Sequence, residues 1–179
     1  KGTGFAYDVF MIKTLMTTGI IFTLIISCNN KSKTVGDAEK QKKISKRDYS
    51  INSSNAYNNL FFVIMLLVKF IEDYKIDDDI SRRMTSFYNV RNYQFAWFTN
   101  NNLTEQARGF WNMHNYQTTY ANDTTLKNKE LQNKMDGFSQ EEDGFTVSPA
   151  NKNIMSTEFL MTQRFIIYTL NYIEDGYVK

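Results

Sequence analysis

A mainly α-helical domain of about five helices, with at most a small extended element, is the fold class predicted by this 179-residue sequence. Three observations point there. Apolar residues recur at helical spacing in several separate windows. Ser, Asp or Thr stands just ahead of three of those windows, where a helix needs its first N–H groups satisfied. The one aromatic stretch that could form a strand, Tyr93–Phe98, alternates poorly and runs into Asn100-Asn101-Asn102, a turn signal.

In chain order, Ser53–Tyr74 reads as a first helix capped by Ser53 or Ser54. Its run Leu60–Val68 is apolar all round, which predicts a buried helix. Asp77-Asp78-Asp79 opens a second helix, Ile80–Asn89, where acids suit the positive end of the helix dipole. Its apolar face is Ile80, Met84, Phe87 and Tyr88. Thr104 caps a third, running to Thr118, with Ala107, Trp111, Phe110 and His114 inward. A fourth spans Thr125–Met135 and places Leu131 and Met135 four residues apart. Phe138–Asn151, which holds the only proline, Pro149, is expected to be a loop. The last helix is expected over Ser156–Ile173, with Phe159, Leu160, Gln163, Ile166, Ile167 and Leu170 at helical spacing. No internal repeat is visible.

The N-terminal region reads differently. From Met11 the sequence gives Met-Ile-Lys, an apolar stretch over Thr14–Ile26, then Ser27 and Cys28. A basic start, a short apolar centre and a small residue before a processing point describe an export signal. The stretch is short of the roughly 20 apolar residues of a membrane span. Ile25-Ile26-Ser27-Cys28 resembles a bacterial lipobox, in which the signal is cut ahead of a diacylated cysteine. The competing reading of Cys28 is a buried free thiol after an apolar run. The expected organisation is an export signal over 1–27 whose start is over-extended, a lipidated Cys28 with a flexible basic tether over 28–52, and a helical domain over 53–179. Residues 29–52 carry seven Lys or Arg against three Asp or Glu, which suits a solvated tether over an envelope membrane.

Composition excludes several functions. Residues 53–179 hold twelve Lys or Arg against fifteen Asp or Glu, a mildly acidic balance that argues against nucleic acid as a partner. One cysteine and one histidine allow no intramolecular disulfide and no Cys/His zinc cluster. No cofactor or metal is expected. No Gly-x-Ser-x-Gly elbow is present, and His114 stands in no motif, so packing competes with catalysis as its role. The acids fall in charge runs, Glu72-Asp73, Asp77–Asp79, Glu141–Asp143 and Glu174-Asp175. A glycosidase would need one such carboxyl in an apolar pocket and another nearby; solvated or dipole-matching acids are the competing reading. Aromatics with Arg91 and Arg108 offer either a sugar-stacking platform or a core with a buried Arg.

Phe87-Tyr88-Asn89-Val90-Arg91-Asn92-Tyr93-Gln94-Phe95-Ala96-Trp97, followed by Leu103-Thr104-Glu105-Gln106-Ala107, resembles the N-terminal scaffold domain of the large murein L,D-transpeptidases in their Bacteroidetes form. Asn55–Phe61 and Glu174–Lys179 are similar to its flanking pieces, so the resemblance spans Ser53–Lys179. It implies an exported, lipid-anchored, envelope-located protein facing the periplasm. It also implies a catalytic domain, further along the chain, that remodels peptidoglycan cross-links through a cysteine in a Ser-His-Gly-Cys context. That motif is absent from this sequence, so no catalytic residue is carried over and the chain alone is expected to be inactive. Val63, Ile64 and Val68 stand where the family would carry polar or acidic residues. The expectation is a non-catalytic scaffold portion, a fragment whose partners are the membrane, peptidoglycan and its own catalytic domain. Arg91, Tyr93, Trp97 and Trp111 are its candidate structural or ligand-contacting residues. The alternative is an independent helical glycan-binding surface lipoprotein with an exposed aromatic groove.

Overall fold

The computed structural model describes residues 43–121, 124–141 and 144–174. The export signal and Cys28 lie outside the described residues. The described residues form α1 (Ile64–Asp73), α2 (Asp78–Asn89), α3 (Glu105–Thr119), α4 (Lys129–Ser139) and α5 (Lys152–Thr169). A π-helical turn over Leu170–Glu174 continues α5. Extended structure among them is confined to two isolated antiparallel bridges, Phe61 with Gln94 and Phe98 with Leu103. The chain is mainly α, as expected.

Helix α5 is the centre. Residues Thr157–Thr162 are buried consecutively, which a helix tolerates only when other elements cover it all round. Helices α1, α2 and α4 pack on it, and α3 reaches it through Phe110, whose ring meets Phe165 at 5.5 Å and Tyr168 at 6.2 Å. Phe62 joins the far side of the core, edge-on to Tyr88, Tyr93, Phe95 and Phe159 at 5.0–5.6 Å. Edge-to-face rings of this kind are worth about 0.5–1.5 kcal/mol per pair beyond the area they bury.

Local chemistry sets most helix starts. Asp77 accepts from the backbone N–H of Asp79 and Ile80, Thr104 from Ala107, Asn128 from Leu131, and Asn151 from Asn153 and Ile154. Three boundaries differ from the sequence reading. Helix α4 runs Lys129–Ser139 because Asn128 is its cap, so the loop expected from Phe138 begins later. Helix α5 starts at Lys152, four residues early, on the Asn151 cap.

The third difference is larger: the first helix begins at Ile64, not near Ser53. Residues 58–62 are drawn into extended pairing with 93–95. Phe62 N–H donates to the Tyr93 carbonyl, Phe95 N–H to the Leu60 carbonyl, both at 3.0 Å, and the Gln94 amide donates to the Asn58 carbonyl at 2.7 Å. Nor is Leu60–Val68 buried as a helix. Phe62 and Leu67 are buried, while Val63, Ile64 and Met65 are 64%, 41% and 64% exposed.

The compact unit starts at Lys43, so residues 43–52 do not belong to a free tether. They strap the end of α2. Asn89 donates to the Ser45 carbonyl at 2.8 Å, Asp48 N–H to the Asn89 carbonyl at 2.9 Å, and Arg47 to the Asn92 side-chain oxygen at 2.6 Å. The Arg47 guanidinium also lies 4.7 Å from the Tyr93 ring centre, a cation–π contact.

Candidate functional site

The polar centre of the molecule is Glu158, fully buried on α5. Its Oε1 accepts the Ala96 N–H at 2.7 Å and the Tyr88 hydroxyl at 3.0 Å. Its Oε2 accepts the Trp97 N–H at 3.1 Å. One turn on, Thr162 Oγ1 lies 2.5 Å from the Tyr88 hydroxyl and accepts the Trp97 indole N–H at 2.8 Å. Thr162 also reaches the Glu158 carbonyl at 3.1 Å. Four side chains and two backbone N–H groups thereby join α2, the 94–104 segment and α5. A buried carboxyl is tolerable only when such donors satisfy it. Burial pushes the Glu158 carboxyl up to about 7, and the two backbone N–H groups, Tyr88 and Arg91 act in the opposite direction. Tyr88 is pushed well above its ordinary value, first by burial and then by the Glu158 charge.

The 94–104 segment is positioned by this network and then positions α3. Thr104 N–H donates to the Trp97 carbonyl at 2.9 Å, and its hydroxyl to the Ala96 carbonyl at 3.3 Å. The same hydroxyl caps α3.

Of the residues singled out from sequence, Arg91, Tyr93 and Trp97 come together around this network. Trp97 is buried, its ring near Phe110 and Phe165 at 5.7 and 5.6 Å. Arg91 lies over the Phe87 ring at 4.5 Å, and Phe87 stacks parallel to Trp97 at 6.4 Å. Tyr93 is buried and donates its hydroxyl to Asn89 Oδ1 at 2.7 Å. Tyr93 has φ +63° directly after Asn92 at φ +51°. For a bulky residue that left-handed conformation costs about 1–3 kcal/mol and persists only where surroundings over-determine it. Two contacts do so: the Tyr93 N–H closes the end of α2 on the Tyr88 carbonyl at 2.9 Å, and the Tyr93 carbonyl receives Phe62.

Trp111 belongs to a separate cluster. It is buried and stacks on His114 at 4.6 Å and 14°. A His114 ring nitrogen, Nε2, bonds the Leu126 carbonyl at 3.0 Å, which requires that nitrogen to carry the proton. His114 thus packs α3 against the chain leading into α4. It also borders a surface concavity of about 470 Å³ with Thr118, Lys127, Asn128 and Gln132.

Sequence reasoning missed Glu158 and Thr162, and read Tyr88 as part of the apolar face of α2 without its hydrogen bonds. The signal for Glu158 was slight: a lone acid outside the charge runs, after Ser156-Thr157 and just ahead of Phe159-Leu160-Met161, and an acid is rarely buried unless paired or bonded. The acids in charge runs lie on the surface wherever they are described, with Glu72, Asp73, Asp77, Asp78 and Glu141 exposed and Asp79 partly exposed in ion pairs to Arg82 and Arg83. Glu158 itself bonds N–H and O–H donors, not a second carboxyl. The acid-pair arrangement of a glycosidase is therefore not formed by these groups.

A second concavity, about 690 Å³, opens between α1, α4 and α5 over Leu66, Phe70, Met155 and Phe159. At its edge the Tyr74 hydroxyl donates to Glu130 at 2.7 Å, and burial followed by that bond pushes the phenol up to about 12. Among the described residues no cluster of His, Cys, Asp or Glu could hold a metal, and no helix is long and apolar enough to cross a membrane.

The fold and its polar centre define a helical structural domain whose signature residues are spent on internal packing. The family comparison agrees: residues 82–178 match a family model described as Scaffold domain. The match covers more than half of the chain, and the chain belongs to that family. No curated protein and no solved structure matches it.

Proposed function

We propose that this chain is the non-catalytic scaffold portion of a cell-wall L,D-transpeptidase, exported and held at the envelope through lipid on Cys28. The observation that carries the reading is the Scaffold-domain match over 82–178, which coincides with the Phe87–Trp97 and Leu103–Ala107 motifs that resemble those enzymes. The buried network supports it from the physical side. Glu158, Tyr88, Thr162 and Trp97 join α2, the 94–104 segment and α5, the work of a scaffold. In the intact enzyme the domain supports a catalytic domain that supplies the cysteine nucleophile, and its outer surface faces peptidoglycan.

An independent glycan-binding lipoprotein is the weaker reading, because its expected aromatic groove included Trp97, which is buried with its N–H satisfied. The test has two parts. Palmitate labelling in a bacterial host is expected to mark the wild-type chain and to vanish in Cys28→Ser. The purified chain, incubated with disaccharide-tetrapeptide muropeptides, is expected to form no cross-linked dimers. Cross-linking by the chain alone, or labelling that survives Cys28→Ser, would overturn the corresponding half of the proposal.

A further inference from the structure

Glu158, Tyr88 and Thr162 form a closed hydroxyl chain around a single carboxyl, and its bonding can be satisfied in two ways. With the carboxylate ionised, Tyr88 donates to Oε1 and accepts from Thr162, which in turn accepts the Trp97 indole N–H. With a proton on Oε1 the direction reverses. Glu158 donates to Tyr88, Tyr88 donates to Thr162, and Thr162 donates to the Glu158 carbonyl 3.1 Å away. Thr162 then uses both lone pairs, one for Tyr88 and one for the indole N–H. Each donor and acceptor finds a partner in either state, and no heavy atom has to move.

The two states differ in what they offer the 94–104 segment. The Ala96 N–H points at Oε1: a charged oxygen in one state, a hydroxyl oxygen, much the poorer acceptor, in the other. Hydrogen bonds to an ionised acceptor are roughly twice as strong as neutral ones. Ala96 and Trp97 in turn carry Thr104, the cap of α3. We propose that Glu158 is a proton-operated latch, holding Ala96 and Trp97 tightly when ionised and loosely when protonated, with the Glu158–Tyr88–Thr162 chain reversing direction between the two states.

The surroundings leave that carboxyl in control. From α2 and its end the titratable and charged groups facing it are Tyr88 and Arg91. Arg91 is placed over the Phe87 ring rather than in an ion pair with Glu158. The 94–98 segment brings backbone N–H groups. Helix α1 turns Phe70 inward and keeps Lys69, Glu72 and Asp73 exposed. Helix α4 packs with Leu131 and Met135 buried, its Lys134 and Glu130 standing at the groove. Burial places the change between ionised and neutral forms near 7, close to neutral pH.

The experiment is an NMR titration of the full 179-residue chain from pH 4 to 9, following the Glu158 carboxyl carbon, the Ala96 and Trp97 amides and the Trp97 indole N–H. Expected is a single-proton step near pH 7 shared by all four signals, with both amides moving downfield as pH rises. In Glu158→Gln the three N–H steps vanish. Histidine titrates in the same range, so the Glu158 carbon, which His114 does not carry, is the deciding signal should the variant fail to fold. A carbon step below pH 5, or amide signals that stay flat while the carbon titrates, would overturn the latch.

Discussion

At the scale of single residues, the two that matter most, Trp97 and Glu158, are buried members of one bonded network. Trp97 is an aromatic of the kind that often contacts ligand, yet its faces meet Phe110, Phe165 and Phe87 and its N–H is bonded to Thr162. Truncating it opens a large cavity and removes the indole N–H that Thr162 accepts. Trp97→Ala is therefore expected to destabilise the domain by about 3–5 kcal/mol, read by urea denaturation, whereas a ligand-stacking Trp would cost little stability. Glu158 looked like one of nineteen acids and is the one buried among the described residues. The sequence showed it only as a lone acid just ahead of Phe159-Leu160-Met161, a pattern that says nothing of its partners. Those partners lie 61–70 residues away in sequence, beyond what local periodicity can report. Tyr93 was legible as aromatic but not as left-handed, because its φ is imposed by the paired carbonyls and N–H groups of α2 and Phe62.

At the scale of elements, starts with a short polar side chain beside an obvious apolar window were readable. Asp77 and Thr104 announced α2 and α3. Asn128 and Asn151 do the same job for α4 and α5 but sit in polar stretches with no apolar window beside them, and the sequence reading began those helices at Thr125 and Ser156 instead. The start of α1 was unreadable for another reason: residues 58–62 lose their helical option to pairing with 93–95, and that pairing is non-local. What remains at Ile64 is a poor start. Val63 has the extended conformation of a cap, φ −84° and ψ 141°, but makes no side-chain cap bond, and the first turn carries no acid. Val63 is also exposed. Val63→Asp is expected to raise stability by about 1 kcal/mol, through the cap bond and the helix dipole together. A thermal melt that fails to rise would mean that the Val63 side chain is held by something other than solvent.

At the scale of the whole molecule, the mainly α class and five helices were legible, as was the Scaffold-domain signature in Phe87–Trp97. The organisation around α5 was not, because burial of Thr157–Thr162 on every side follows from how four other elements pack, not from the apolar pattern of α5 alone. Nor was the strap over residues 43–52. Its Arg47 and Asn52 read as tether chemistry, and its attachment depends on Asn89, Asn92 and Tyr93 being folded to receive it. The whole then depends on one buried carboxyl, and this gives stability a definite sign with pH. Burial raises the folded-state value of Glu158 from 4.5 to about 7, so between those values the folded chain keeps a proton that the unfolded chain has lost. The contribution is fully present below about 4.5 and is lost as pH rises through 7; for a shift of this size it is of order 3 kcal/mol.

The most direct measurement is the melting temperature of the wild-type chain and of Glu158→Gln at pH 5 and pH 8. The wild-type is expected to melt lower at pH 8, by on the order of 10 °C, and the variant to lose most of that difference whatever its absolute stability. Equal pH dependence in the two proteins would contradict a fold centred on Glu158.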